Sequence, residues 1–489
     1  MTHSGKHCHH IAAVVWTSIT LATGATAQPA REVIHELALV NGRVMDPETG
    51  LDAIRNVGIS KGRIAAVTVG RIRARVTVDV SGLVVAPGFI DLHAHGQDTE
   101  NNQAQARDGV TTALELETGP ADMDRWYQER DGKRLINTGA TIGYSAIRRS
   151  VIKDSGATFQ SDRATYGPAT AAELAEMLRR LERGLERGGL GVGWHLNTTP
   201  GASQQELLAV FRMAKKHAAV VVPDIRYIGA APPTTAMLAL LEVIGASAAT
   251  GAALHVCHIC SNAIRDVAAA LETIAGARQR GLDVTTECHP YTVAMGDIQD
   301  TYFDGEFQKV LGVDYSDLQW VATGERLTKE TFDRYRPSGG GVLIHMIPEE
   351  VVRAGLASPF VAVVSDGHLE GGKGHPRGAG TFARVLGRYV REQKLISRME
   401  AVRKMTLMPA RRLEARVPML KRKGRLRVGA DADITVFDPD RVIDRATYES
   451  PALPSDGIRH VLVNGVFVVR DGVVQEGVTP GRAIRAPLK

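Results

Sequence analysis

One stretch of the sequence decides the fold: Pro87-Gly88-Phe89-Ile90-Asp91-Leu92-His93-Ala94-His95. The run that leads into it, Val84 to Ile90, is too apolar for a surface strand, so we predict a buried strand. Side chains alternate between the two faces of a strand, which places His93 and His95 on one face. The alternative is a solvated pair of histidines beside a turn. Because two imidazoles that converge at a buried strand end are typical of a metal site, we predict that both bind metal.

The composition is that of a globular enzyme. The chain has 489 residues, of which 44% are hydrophobic and 23% charged, enough for a large core and a second, smaller domain. The net charge of +5 is spread along the chain and not gathered in basic arms. This distribution excludes a nucleic-acid-binding patch and favours a small anionic substrate.

The N-terminus has the pattern of a secretory signal peptide over residues 1–27. Lys6 precedes an apolar run from Ile11 to Ala25, and Ala25-Thr26-Ala27 supplies a small-x-small cleavage site. The alternative is a buried N-terminal helix. We predict export to the periplasm or the medium, and no later segment is apolar for long enough to span a membrane.

The rest of the chain divides into three parts. Residues 28–86 and 418–489 contain short strands and turns, and we predict that they form one β-sandwich from both chain ends. Residues 87–417 alternate strand-like and helical patterns, which predicts an α/β fold with a TIM-like (β/α)8 barrel. An aromatic and polar stretch at about 292–341 is predicted to be an inserted lid.

Carboxylates follow two of the predicted barrel strands. Glu115 and Glu117 share a face at the end of one strand, and Glu117 is the preferred metal ligand because it lies nearer the mouth. Either of them can instead pair with an arginine. Asp224 and Arg226 share a face at another strand end, where the carboxylate can bind metal and the guanidinium a substrate carboxylate. A structural pair of Asp224 with Arg226 is the alternative.

Later strands add further candidates. His255 and His258 lie three positions apart and so face opposite sides, which predicts that only one of them binds metal. His289 and Tyr291 are candidate substrate contacts or, equally, structural residues. Asp366 ends an apolar strand and is followed by Gly367, which predicts a general base beside the metal, with a turn or helix-cap role as the alternative.

These motifs resemble the metal-dependent amidohydrolase superfamily, and within it the D-aminoacylase (N-acyl-D-amino-acid deacylase) branch, which includes N-acyl-D-glutamate deacylases. The resemblance covers nearly the whole chain after the signal peptide. It rests on these segments: 86–95, Gly109-Val110-Thr111-Thr112, Ser365-Asp366-Gly367, 375–382 with Val385-Leu386-Gly387, 405–410 and 429–433.

The resemblance implies a TIM-like barrel with a β-sandwich from both termini, and one or two zinc ions. It implies that His93, His95 and His258 are metal ligands and that Asp366 is the catalytic acid and base. It further implies substrate contacts from Arg377 and Tyr291, and Arg226 and Lys373 are additional candidates to anchor a substrate carboxylate.

The chain departs from the branch at two places. Thr118, next to Glu117, stands where the branch commonly has a metal-binding cysteine, and Asp224 stands where it commonly has a histidine. Either Glu117 and Asp224 substitute as oxygen ligands, or one metal position is weakened or lost.

The function implied is that of an exported zinc-dependent hydrolase that cleaves the amide bond of N-acyl-D-amino acids. Alternatives are hydrolysis of dipeptides, cyclic amides or foreign amides, and a metal-poor binding protein that has lost turnover. The sequence leaves open the acyl group, the stereopreference, the number of metal ions and the oligomeric state.

Overall fold

The computed structural model describes residues 9, 10, 13, 34–152 and 162–489. The predicted signal peptide, with its cleavage site after Ala27, lies outside the described residues except for those three positions. None of the helices in the described ranges is long and apolar enough to cross a bilayer.

Strands predominate towards both chain ends and alternate with helices between them. The strands are β1 (Ile34–Asp46), β2 (Leu51–Ser60), β3 (Arg63–Thr68), β4 (Arg73–Asp79), β5 (Val84–Pro87), β6 (Phe89–Asp91), β7 (Val110–Glu115), β8 (Asn137–Ala140), β9 (Ile142–Gly143), β10 (Gly191–His195), β11 (Val220–Asp224), β12 (Ala253–Val256), β13 (Val284–Cys288), β14 (Ala294–Asp297), β15 (Leu318–Trp320), β16 (Gly341–Ile344), β17 (Val361–Val363), β18 (Leu369–Glu370), β19 (Lys373–Gly374), β20 (Ile434–Phe437), β21 (Ile458–Val463), β22 (Val466–Arg470) and β23 (Val473–Val474).

The helices are α1 (Thr99–Arg107), α2 (Met123–Glu129), α3 (Tyr144–Ile152), α4 (Asp162–Tyr166), α5 (Ala171–Glu186), α6 (Gln204–Lys216), α7 (Ala236–Thr250), α8 (Ile259–Ala263), α9 (Val267–Gln279), α10 (Phe307–Leu311), α11 (Lys329–Tyr335), α12 (Glu349–Ala357), α13 (Arg377–Arg384), α14 (Arg398–Met405) and α15 (Leu407–Leu413). A π-helix at Val385–Glu392 continues α13. Short 3₁₀ turns lie at Ile264–Asp266, Thr301–Phe303, Tyr315–Asp317, Arg336–Ser338 and Pro418–Arg422.

The two chain ends form one sheet. Its nine strands run in the order β23-β22-β21-β20-β5-β1-β2-β3, and β4 pairs in parallel with β1. Leu39 and Val57 from the first part share one apolar core with Ile434 and Leu462 from the second. The strands of both chain ends therefore lie together, and hydrogen bonds join all nine into one continuous sheet.

The central part contains parallel strands in two runs, β6-β7-β8 and β9-β10-β11-β12-β13-β17. Only Thr141 separates β8 from β9. At the other edges, Ala94 pairs with Gly367 in parallel register, and the Asp366 amide donates to the His93 carbonyl at 2.7 Å. The two runs thus lie next to each other at both edges, and the carboxyl ends of these parallel strands lie at the same end of the α/β fold.

The insertion between β13 and β17 contains a small antiparallel sheet in the order β14-β16-β15. The central strand is β16, which runs to Ile344. The insertion therefore extends beyond the predicted end at residue 341, because the sheet cannot end at the first residue of its middle strand. Aromatic rings form its core: Phe307 stacks on Phe332, and Phe303 contacts Phe332 edge to face.

The C-terminal tail departs from the predicted domain boundary. The Ile484 amide donates to the Thr138 carbonyl at 2.7 Å, and the Ala486 amide donates to the Gly188 carbonyl at 3.0 Å. Ile484 is buried in an apolar cluster with Leu190. The tail packs on the barrel strands and not on the terminal sheet, because its apolar side chains find a buried site there.

Candidate metal centre

His93 and His95 follow β6, and their imidazoles converge. Their Nε2 atoms lie 3.1 Å apart. The Nδ1 of His93 is 2.5 Å from Glu287 Oε1, and the Nδ1 of His95 is 2.8 Å from Glu115 Oε2. A carboxylate that accepts from Nδ1 fixes the ring so that Nε2 faces the mouth of the barrel.

Glu117 lies at the centre of the site. Its Oε2 is 3.1 Å from His93 Nε2, 3.3 Å from His95 Nε2 and 3.1 Å from His195 Nε2. Its Oε1 is 2.9 Å from His258 Nε2. One carboxylate therefore faces four imidazoles. His93 and His95 belong to the motif after β6, and His195 and His258 come from later parts of the chain.

The local backbone fixes the position of Glu117. The chain turns directly after it at Gly119, whose φ of 62° is in the left-handed region that favours glycine. Gly193 of β10 packs so closely on the Glu117 carbonyl that any side chain there would collide with it. The Thr118 amide also donates to Glu115 Oε1 at 3.0 Å. Glu115 thus contacts His95 and the Thr118 amide, whereas Glu117 lies among the imidazoles, and its role as a metal ligand stays a prediction.

His195 is a site residue that the sequence interpretation missed. It is the last residue of β10, and its Nε2 lies 2.9 Å from Thr118 Oγ1 as well as beside Glu117. The signal in the sequence is a histidine at the carboxyl end of a buried strand, the same signal that singles out His93. Thr118, which stands where the branch commonly has cysteine, therefore lies in contact with the site.

Asp224 and His258 complete the second side of the centre. Donor atoms of Glu117, Asp224 and His258 lie within 4.8 Å of one another. The side-chain amide of Asn262 donates to Asp224 Oδ1 at 3.1 Å, and the side-chain amide of Asn197 donates to Asp224 Oδ2. His255 does not reach the centre itself: its Nε2 is 2.8 Å from Glu287 Oε2, behind His93, so of the two histidines only His258 contacts Glu117.

Asp366 lies across the site from His195. Its Oδ1 is 3.4 Å from His93 Nε2 and 3.3 Å from His95 Nε2, and its Oδ2 is 2.8 Å from Arg377 Nη1. Its backbone has a φ of 54°, which is uncommon for a residue with a side chain. Such a conformation persists only where the surroundings hold it, and here the hydrogen bond that the Asp366 amide donates to the His93 carbonyl does so.

The donor set fits a metal. Because Nδ1 of His93 and of His95 is used by a carboxylate, the Nε2 atom of each neutral ring is an acceptor, and it faces other acceptors. Only protons or a metal cation relieve that arrangement. Imidazole nitrogen and carboxylate oxygen are ligands that zinc prefers. The residues fit one or two zinc ions: donor atoms of His93, His95 and Glu117 lie within 4.8 Å of one another, as do those of Glu117, Asp224 and His258, and His195 lies beside Glu117.

The pKa values of the histidines show the effect of the neighbouring carboxylates on these rings. Burial alone would lower the pKa of His93, but Glu117, Asp366 and Glu287 raise it well above its usual value. Burial also opposes the shift of His258, whose pKa Asp224 and Glu117 raise to about 9. Burial raises the pKa of Asp224 to about 6. The site without metal therefore holds protons where a cation would bind.

Two predicted substrate contacts need correction. Arg226 is wrong as a substrate contact: its Nε and Nη2 bind Glu242 at 3.0 and 2.8 Å, and its Nη1 donates to the Pro200 carbonyl. Its pairing is structural, with Glu242 and not Asp224, because Asp224 turns into the metal centre while α7 brings Glu242 to the guanidinium. Lys373 is exposed on β19 and does not line the cavity.

His289 and Tyr291 also lie outside the cavity lining. Tyr291 is buried, with the Arg384 guanidinium 4.5 Å from its ring centre, and its hydroxyl donates to the Pro376 carbonyl at 3.4 Å. His289 is buried, and its ring centre lies 6.4 Å from that of His375. Neither residue lines the cavity, whereas Arg377 does, and its role as a substrate contact stays a prediction.

The metal centre opens into a cavity of about 370 Å³. The inserted segment supplies much of its apolar wall, through Met295, Leu311, Ile344 and Met346. Polar groups lie at the metal centre, at Arg149 and Arg377, and at Asp297, Asp300 and Tyr302 of the insertion. This combination of an apolar wall and a few convergent polar groups is typical of a small-molecule site.

A sequence model of the Amidohydrolase family matches residues 150–469. The chain belongs to this family. Among curated proteins, this amidohydrolase is 31% identical to an N-acyl-D-glutamate deacylase of Alcaligenes xylosoxydans xylosoxydans, over 92% of this chain and 96% of the relative. It is 28% identical to a D-aminoacylase of the same organism, over 88% and 94% of the two chains.

Solved structures agree with this placement. An N-acyl-D-glutamate deacylase from Bordetella bronchiseptica, complexed with zinc and a phosphonate inhibitor, superposes with a TM-score of 0.79 at 28% identity, and the match covers 93% of this chain and all of that one. A D-aminoacylase described as having a binuclear metal centre superposes with a TM-score of 0.79 at 25% identity, over 92% of this chain and 100% of that one. The resemblance to the D-aminoacylase branch is confirmed.

The central position of Glu117 predicts the effect of its removal on metal content. Glu117→Gln should weaken zinc binding by at least about 100-fold, because changes in residues that only orient ligands already cost 10- to 100-fold. Zinc per chain after dialysis, measured by mass spectrometry, should fall relative to the unaltered protein. Glu182→Gln, in the second cluster of Glu182, Glu186 and His217, is the matched control and should retain its metal. Equal metal content in both variants would contradict this assignment.

The raised histidine pKa values predict proton release on metal binding. Below about pH 9 His258 is protonated in the metal-free protein, and zinc binds only the neutral ring, so binding at pH 7 must displace protons. Apparent zinc affinity should therefore fall as the pH is lowered, by up to about tenfold per unit for each proton released. Titration calorimetry in two buffers of different ionisation enthalpy measures the number of protons released per zinc ion bound. Buffer-independent heats would show that the rings are already neutral.

Proposed function

We propose that this chain is a zinc-dependent amidohydrolase that cleaves the amide bond of N-acyl-D-amino acids, on a TIM-like (β/α)8 barrel with a β-sandwich built from both termini. The observation that carries the proposal is the Glu117 carboxylate between two groups of imidazoles, with Asp366 beside it. The near full-length similarity to N-acyl-D-glutamate deacylase and D-aminoacylase supports the substrate class.

Zinc bound at this site would polarise the acyl carbonyl and make water a stronger acid. Burial would raise the pKa of Asp366, but Arg377 and the nearby histidines lower it well below the usual range, so the carboxylate is ionised. Because Arg377 holds Oδ2, the proton from the attacking water goes to Oδ1, which faces the centre. Asp366 then returns this proton to the amide nitrogen as the bond to the acyl carbon breaks.

Arg377 combines two tasks. One Nη1 contact orients Asp366, and its buried Nε has no hydrogen-bond partner among the described residues. A substrate α-carboxylate lies two bonds from the amide nitrogen that Asp366 protonates, which places it within reach of this guanidinium. We assign Arg377 to the α-carboxylate, since arginine suits bidentate carboxylate binding. The apolar wall from the insertion excludes water around the reacting amide.

A substrate panel tests this function. The purified protein should hydrolyse N-acetyl-D-amino acids faster than their L forms, lose activity with a chelator and regain it with zinc. Asp366→Asn should lower kcat by about 10²- to 10⁴-fold, while Asp471→Asn, on the terminal sheet, should match the unaltered protein. Preferred turnover of dipeptides or cyclic amides would replace the proposed substrate class. Full activity without metal would contradict the mechanism.

We further propose that the protein is exported and acts in the periplasm or the medium as a hydrolase of small molecules. The basis is the signal-like pattern of residues 1–27. Expression in a bacterial host, followed by N-terminal sequencing of the periplasmic fraction, should yield a mature chain that starts at Gln28. An uncleaved chain in the cytoplasm would contradict export.

A further inference from the structure

Arg149, on α3, lines the cavity into which the metal centre opens, and it has no carboxylate partner among the described residues. Within residues 34–152 and 162–489, no ion pair or hydrogen bond of its guanidinium is found. Burial lowers the pKa of Arg149, and no charged neighbour offsets that effect. Partial removal of a guanidinium from water without a counter-charge is unfavourable, and a ligand that supplies a negative charge in the cavity would offset that cost.

The other buried arginines around the site differ from Arg149. Arg377 pairs with Asp366, Arg226 pairs with Glu242, and Arg148, the preceding residue on α3, pairs with Glu206. In each case the protein supplies the anion. Arg149 is the contrasting case, with its charge directed to the space that a substrate would fill.

The position of Arg149 follows from its helix. Ser145 Oγ donates to the His195 carbonyl at 3.3 Å, which anchors the first turn of α3 beside β10. Arg149 lies four residues later on the same helix face, about 6 Å farther along the axis. It therefore stands on the His195 side of Glu117, whereas Arg377 stands on the Asp366 side. Two guanidinium groups flank the metal centre.

Two carboxylates of the insertion, Asp297 and Asp300, line the cavity, but their oxygens accept hydrogen bonds from other groups of the insertion. Asp297 accepts from the Gln299 amide at 2.8 Å and from the Gly340 amide at 3.0 Å. Asp300 Oδ2 accepts from the Tyr302 hydroxyl at 2.6 Å and from the Asp297 amide at 2.8 Å. Neither forms an ion pair with Arg149 in the described structure.

We propose that Arg149 binds a second carboxylate of the substrate, so that the enzyme prefers N-acyl-D-amino acids that carry two carboxylates. This inference rests on the proposed function, in which Arg377 takes the α-carboxylate. The second carboxylate belongs either to the amino-acid side chain or to the far end of a dicarboxylic acyl group. Both sources present the same group to Arg149, and substrates that carry one or the other distinguish them.

The experiment compares three substrates: N-acetyl-D-leucine, N-acetyl-D-glutamate and N-succinyl-D-leucine. The unaltered enzyme should favour one of the two dicarboxylates over N-acetyl-D-leucine in kcat/KM. Arg149→Gln should lower kcat/KM for that dicarboxylate by about 10- to 100-fold, the range expected for one charged hydrogen-bonded pair, and change N-acetyl-D-leucine by less than about threefold. The dicarboxylate whose kcat/KM falls in Arg149→Gln shows whether the second carboxylate comes from the amino-acid side chain or from the acyl group. Arg149→Lys should retain part of the preference, because it keeps the charge but loses the bidentate geometry.

Arg212→Gln, which removes an exposed arginine on α6, is the matched control and should leave all three values unchanged. Zinc content and the thermal midpoint should be the same in Arg149→Gln as in the unaltered enzyme, which separates substrate binding from folding. An equal loss for all three substrates, or no loss for either dicarboxylate, would overturn the inference while the deacylase function stands. Absence of turnover by the unaltered, zinc-loaded enzyme would instead overturn the proposed function itself.

Discussion

The Glu117 carboxylate is the interaction on which the site depends. Its two oxygens face imidazoles that come from separate parts of the barrel, and each nitrogen lies 2.9–3.3 Å away. Such a concentration of acceptors and ionisable rings in a buried place is unfavourable unless a cation balances it. The barrel strands hold these groups together because their carboxyl ends share one mouth.

The surroundings hold this arrangement rigidly. Glu287 fixes His93 from behind and is itself held by His255, and Glu115 fixes His95. Asp366 occupies an uncommon backbone conformation that places it between the histidines and Arg377. Glu287, His255 and Glu115 lie outside the cavity lining and preorganise the histidines from behind, which is how metal sites maintain geometry and affinity.

Sequence reasoning reaches those features that local patterns encode. Strand alternation and a buried apolar run identify His93, His95 and Glu117, and a carboxylate at the end of an apolar strand identifies Asp366. The meeting of the chain ends in one β region also follows from repeated short strands. These patterns involve residues close together in the chain, so they can be recognised in a single sequence.

The features that the sequence does not reveal depend on distant partners. Arg226 shares a strand end with Asp224, but α7 brings Glu242 to it, and no local pattern records that approach. His195 joins the site only because β10 lies where Gly193 can pack against Glu117. The tail near Ile484 leaves the terminal sheet because a buried site exists on β8. In each case the three-dimensional contact decides the role.

The most direct test of the central claim is anomalous diffraction at the zinc absorption edge from crystals of the zinc-loaded protein. The account predicts a peak about 2 Å from a Glu117 carboxylate oxygen, with His93 and His95 or His195 and His258 as the other ligands. Zinc found only elsewhere, such as at the Glu182, Glu186 and His217 cluster, with none beside Glu117, would contradict it.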